Sequence, residues 1–188
     1  MDKKELTARL DTPMKSQMVA NSTAIIENHD LDIGDLFDIS FHKKKEIAFR
    51  AAWMLEYIVT HEPLQFYPHI EAFLLLLPKQ KNPSAMRHYA KIVALMTERK
   101  SSLLYKEALG RLTIEPLIEL LFIWLVERET LVATKVHCMQ ALANLVPRYN
   151  WIKDELLETV DHLMGIESIA FFARAKMVKK QLKKEAEK

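Results

Sequence analysis

Glycine is scarce in this chain, with 3 in 188 residues. Tight β-hairpin turns and phosphate-cradling loops need glycine for positive φ or close backbone approach. All-β and Rossmann-type folds are therefore disfavoured. Cysteine is scarcer still: Cys138 stands alone, which excludes an intramolecular disulfide and fits a reducing compartment. Long apolar runs are missing too. The most membrane-like stretch, residues 116–126, contains Glu119 and falls far short of the about 20 apolar residues of a spanning helix. The start, Met1-Asp2-Lys3-Lys4-Glu5, is charged and leads into no apolar signal core. A cytoplasmic protein with no membrane span is expected. Nor does one sign of charge dominate: 27 basic against 25 acidic residues give a net charge of +2. A dedicated nucleic-acid binder shows a larger excess or a concentrated patch.

What is present is a globular, helical composition, 49% hydrophobic and 28% charged. A chain this long buries about 70% of its unfolded surface, so it needs no disulfide or metal staple. Thr12-Pro13 predicts a helix start, with a helix to about residue 28. A shorter helix is expected over 31–41, weakened at Gly34 by about 1 kcal/mol relative to alanine. Residues 46–61 are apolar almost all round, which predicts an interior helix stopped by Pro63. Tyr67-Pro68 and Asn82-Pro83 predict two further starts. Residues 101–112 read as a less regular amphipathic insertion, and Thr113 as the cap of the helix after it. Helices are expected over 130–146, 151–164 (with Gly165 as C-cap) and from about 167 to the lysine-rich end.

Four helices share a local pattern. Ala48-Phe49-Arg50-Ala51-Ala52-Trp53, Ala85-Met86-Arg87-His88-Tyr89-Ala90, Ala133-Thr134-Lys135-Val136-His137-Cys138 and Phe172-Ala173-Arg174-Ala175-Lys176-Met177 each place a cation early, near small residues. Arg50 to Arg87 is 37 residues, Arg87 to Lys135 is 48, and Lys135 to Arg174 is 39. The insertion at 101–112 accounts for the long interval. One further main helix lies between successive copies, so the unit is a helical hairpin of about 40 residues.

The pattern resembles the HEAT/armadillo repeats, whose second helix opens with an apolar residue and an arginine followed by small residues. The likeness covers residues 45–185, and the family's aspartate before the arginine has at most Glu46 in its place. It implies an all-α fold, a short α-solenoid of stacked helical hairpins. The expected layout is a single domain over 1–188. It comprises a divergent helical pair at 1–43, three hairpins over 44–166 and a capping helix over 167–188.

The segments at 46–56, 67–92 and 139–142 with Trp151-Ile152 also resemble a family of small uncharacterised bacterial proteins, sometimes labelled adenylosuccinate lyase. Leu77-Pro78-Lys79-Gln80-Lys81-Asn82-Pro83 keeps the proline and Asn-Pro of that lyase signature. However, Gln80 replaces its lysine, Leu74-Leu75-Leu76 replaces its Gly-Ser-Ser, and the chain is less than half the length of those enzymes. A turn between helices is the better reading, and enzymatic activity is not expected.

Seven histidines are scattered without metal spacing, so no metal and no cofactor is expected. Cys138 sits on a strongly apolar helix and reads as a core residue rather than a nucleophile. Trp53 and Trp124 read as core, and Trp151 is less certain. The basic column Arg50, Arg87, Lys135 and Arg174 reads as a structural ladder between repeats, or as a charged stripe on a concave face. Lys176, Lys179, Lys180, Lys183 and Lys184 fall largely on one side of the last helix. They read as a solvated capping face with cations near its negative dipole end, or as a docking stripe for an acidic protein, nucleic acid or anionic membrane. The function expected is a protein-interaction or scaffold module that grips another protein in a groove lined by second helices. The alternative is nucleic-acid binding through the basic face. No small-molecule substrate is evident.

Overall fold

The structure is a computed structural model describing residues 1–11, 23–26 and 31–186. Among these residues every regular element is helical. The chain divides into two compact units, Met1–Tyr89 and Ala90–Lys188, with the division falling inside one helix.

The first unit contains α1 (Lys3–Asp11), α2 (Ile33–Ile39), α3 (Lys45–His61), α4 (Pro63–Phe66), α5 (Ile70–Leu76) and the opening half of α6 (Pro83–Thr97). The helix expected from Thr12-Pro13 lies largely outside the described residues. Helix α1 precedes that signal and is anchored by Leu6 and Leu10, one turn apart and both buried. At the start of α2 the Asp32 carboxylate accepts the Gly34 N–H at 2.7 Å, and this cap offsets the glycine's helix cost.

Helix α3 is the centre of the unit, packed on α1, α2 and α4. Its buried side carries Ile47, Ala48, Ala51, Ala52, Met54, Leu55, Ile58 and Val59. The small residues among them let neighbouring backbones approach. The helix is not interior all round, because Phe49, Trp53 and Tyr57 lie on a half-buried face. Trp53 is therefore not the core residue expected.

Residues 63–79 are almost continuously helical. Pro63 opens the run, earlier than the predicted start at Tyr67-Pro68. The run tightens to 3₁₀ turns at Tyr67–His69 and Leu77–Lys79, where Pro68 and Pro78 lack the N–H an α-helix needs. Asn82 then caps α6, its Oδ1 accepting from Ser84 N at 3.0 Å and Ala85 N at 3.3 Å. Gln80 is buried, its amide donating to the Ser40 carbonyl and its Oε1 accepting from Asn82 N. The lyase-like segment is thus a turn whose polar atoms are spent on the backbone.

The second unit contains the rest of α6, α7 (Leu103–Arg111), α8 (Glu115–Val126), α9 (Val132–Leu145), α10 (Ile152–Met164) and α11 (Ile169–Ala186). Helix α9 packs against α8, α10 and α11. Its Cys138, Ala141 and Ala143 are wholly buried, giving the close approach that helix stacking requires. One local expectation is corrected. Thr113 is not the cap of α8: Ile114 holds that place without a side-chain bond, and Pro116 in the first turn sets the start. Gly165 is the C-cap of α10 as expected, its N–H donating to the His162 and Leu163 carbonyls, at φ −82°, a right-handed value that does not use glycine's freedom.

Candidate functional site

In the first unit one half-buried edge of α3 is aromatic. Phe49, Trp53, Tyr57 and His61 are four residues apart, which lines them up along one side of the helix. The Trp53 and Tyr57 rings are 5.8 Å apart, and Tyr57 stacks on His61 at 4.0 Å. Phe49 meets the edge of His88 at 5.0 Å. His88, on α6, is buried. Its Nδ1 lies 2.6 Å from Glu56 Oε2, and Arg87 Nη2 lies 3.4 Å from its Nε2. A guanidinium can only donate, so Nε2 accepts, and Nδ1 carries the hydrogen that Glu56 receives. Arg50 donates to the Leu10 carbonyl in the last turn of α1, where a cation also suits the helix dipole.

Arg50 and Arg87 thus border the aromatic line, one holding a helix end and the other a buried imidazole. The line was readable in the sequence as the period-four spacing 49, 53, 57, 61. It was hidden because aromatic residues on an apolar helix also suit a core.

In the second unit Lys135 is buried at 1% exposure, its Nζ 2.6 Å from Glu167 Oε1. Arg174 donates to Gln140 Oε1 at 3.2 Å. Gln140 donates in turn to Asn144 Oδ1 at 2.9 Å and Gln181 Oε1 at 3.0 Å. Asn144 donates to the Ala94 carbonyl at 3.1 Å and to Thr97 Oγ1 at 3.3 Å. A polar chain therefore crosses α6, α9 and α11. Sequence reasoning missed it, although Gln140 and Asn144 are a polar i, i+4 pair on an otherwise apolar helix.

On α11, Phe171, Ala175, Val178 and Leu182 are buried. At about 100° per residue Lys176, Lys180, Lys183 and Lys184 point away from that face and Lys179 lies on its flank. Lys179 pairs with Asp161 of α10, and Lys176 Nζ sits 4.5 Å over the Phe172 ring. Lys180, Lys183 and Lys184 are exposed. The outer side of the first turns is apolar instead: Ile169 is 88% exposed and Met177 62%.

Trp124 is buried, whereas Trp151 is half exposed and stacks on Phe122. Cys138 is wholly buried, and burial pushes its thiol well above the usual range. A buried, neutral thiol is a poor nucleophile. In the native state it is expected to give no reaction with Ellman's reagent, and one equivalent of product in denaturant. Rapid native labelling would place Cys138 at the surface.

Among the described residues no helix is long and apolar enough to cross a membrane, and no three His, Cys, Asp or Glu side chains gather as a metal site would require. Helical hairpins with small residues on their buried second-helix faces define an α-solenoid repeat protein. The sequence profile of the HEAT repeat domain matches residues 6–184, and the chain belongs to that family. HEAT repeat proteins are generally interaction or scaffold modules and generally non-enzymatic. No match was found among curated proteins or solved structures.

Proposed function

We propose that this chain is a non-enzymatic module that binds another protein through the exposed faces of its second helices. The observation that carries this reading is the half-buried line Phe49, Trp53, Tyr57, bordered by Arg50 and Arg87. A folded chain gains little by leaving large rings partly in water. Trp, Tyr and Arg are the residues that dominate binding hot spots. The basic column is read as a structural ladder, because Arg50, Lys135 and Arg174 each donate to a group about 30–40 residues away in sequence.

The test is a double variant, Trp53→Ala with Tyr57→Ala, compared with wild type in capture from native lysate. A partner is identified by mass spectrometry and its affinity then measured with purified protein. Loss of about tenfold or more in affinity, with folding retained by circular dichroism, is the expected result. Equal affinity for every captured partner would remove the reading. The nucleic-acid alternative predicts retention on immobilised DNA or RNA that falls steeply with salt. Lyase activity would show as fumarate release from adenylosuccinate.

A further inference from the structure

The second unit holds an open cleft of about 840 Å³ where the C-terminal ends of α6 and α9 meet α7, the start of α10 and α11. That volume lies within the range of about 300–1,000 Å³ typical of ligand sites. Helix α7 is the insertion that stretches the repeat spacing to 48 residues, and it supplies one wall. The floor is apolar and buried: Met96, Leu109, Leu145 and Leu182. The rim is basic, with Arg99, Lys106, Arg148 and Lys153 against a single acid, Glu98.

Two of the four cations steady the walls. Lys106 donates to the Arg99 carbonyl at 2.7 Å and Arg148 to the Leu109 carbonyl at 2.6 Å. Among the described residues the side chains of Arg99 and Lys153 have no hydrogen-bond or ion-pair partner. The ends of α6 and α9 each contribute about half a negative charge. Four cations, less one carboxylate and about one unit of dipole charge, still leave the cleft with about two positive charges.

We propose that this cleft receives an acidic segment of a partner protein. Its carboxylates meet Arg99 and Lys153, and its apolar side chains rest on the floor. This deepens the protein-binding reading and rests on it, but uses a different surface. Nucleic acid fits less well, because none of the described lining residues is aromatic, and base stacking is what holds single strands in basic grooves.

The experiment titrates the full chain into a fluorescein-labelled synthetic peptide of Glu, Leu and Ser and reads fluorescence anisotropy. Binding is expected to weaken about tenfold or more in Arg99→Glu/Lys153→Glu and to fall with added salt. Gly110→Phe plugs the cleft without changing charge. A Cβ built there meets nothing within 4 Å, so the backbone accepts a side chain at this position; with helix content kept by circular dichroism, loss of binding is expected again.

Four results would overturn the proposal: no binding by wild type, unchanged affinity in both variants, equal binding of a Lys, Leu and Ser peptide, or tighter binding of an oligodeoxythymidine lost in the same variants. The Trp53/Tyr57 variant leaves this cleft intact and should keep the peptide. The failure of one surface is thereby told apart from the failure of the other.

Discussion

Glu167→Ala is expected to lower the unfolding free energy by about 3–5 kcal/mol, although Glu167 sits in the link between α10 and α11 and reaches the surface. The reason lies in its partner. The Lys135 side chain is 2% exposed and the Glu167 side chain 16%, so the two ends of this ion pair differ in their access to water. Removing Glu167 strands an ammonium in the first turn of α9, among elements packed on it from three sides. An unpaired buried charge costs far more than an exposed pair contributes.

Lys135→Met removes the other end, keeps most of the volume, and leaves a carboxylate that can turn toward solvent. It is expected to cost less than about 1.5 kcal/mol. Denaturant melts of the two variants measure the asymmetry directly. A lysine variant more damaged than the glutamate variant would mean that Glu167, not Lys135, is the stranded charge. In a domain stabilised by about 5–15 kcal/mol, the larger loss is a substantial share of the whole.

Tyr89→Ala is expected to cost about 3–5 kcal/mol, mainly through packing. Tyr89 is the bulkiest fully buried side chain among the described residues. Its ring lies 5.0 Å from Phe73 and 6.3 Å from Phe41. Ser40 Oγ donates to the Phe37 carbonyl at 2.6 Å, so the Tyr89 hydroxyl is the donor in the 2.7 Å bond between the two. Tyr89→Phe keeps the ring, removes only the hydroxyl with its bonds to Ser40 and Gln80, and should cost about 1–2 kcal/mol. Equal losses in the two variants would show that the hydroxyl, and not the ring, anchors α6.

The same residue sets a pH dependence. Burial is the main cause that raises its phenol from 10.0 to about 12, with the bonds to Ser40 and Gln80 working against it. Unfolded tyrosine releases its proton near pH 10 while the folded chain still holds it, so the native state binds more protons and stability falls as pH rises. Tyr89's contribution is complete below about pH 10 and gone above about pH 12, about 3 kcal/mol in all. Burial raises Tyr105 and Cys138 in the same direction. The share due to Tyr89 is the part of the alkaline loss that Tyr89→Phe abolishes. Identical alkaline curves for wild type and Tyr89→Phe would show that the phenol titrates normally.

Much of the architecture was legible because helix signals are local. Asn82-Pro83 capped a helix where expected, and the cations at 50, 87, 135 and 174 each lie within a helix. The partners of those cations were not legible. Leu10, Glu167 and Gln140 lie 40, 32 and 34 residues from Arg50, Lys135 and Arg174, and no local pattern specifies a contact at that distance. Helix α1 was missed because two leucines among charged residues give little periodic signal. Thr113 was over-read, since a capping residue type is permissive and the backbone need not use it; Gly165 does cap α10.

By itself the sequence determined the class of structure. With almost no glycine, no disulfide, and a recurring cation beside small residues, the chain had helices as its available element and mutual stacking as the way to bury them. Only the tertiary structure decided which side of each helix meets water. Periodicity separates two faces when one is polar; on α3 both are apolar, and the choice between Met54 and Trp53 for the interior belongs to the neighbours that pack there. The cleft beside α7 arose in the same way, from helix ends brought together by folding, with its charges scattered along the chain until then.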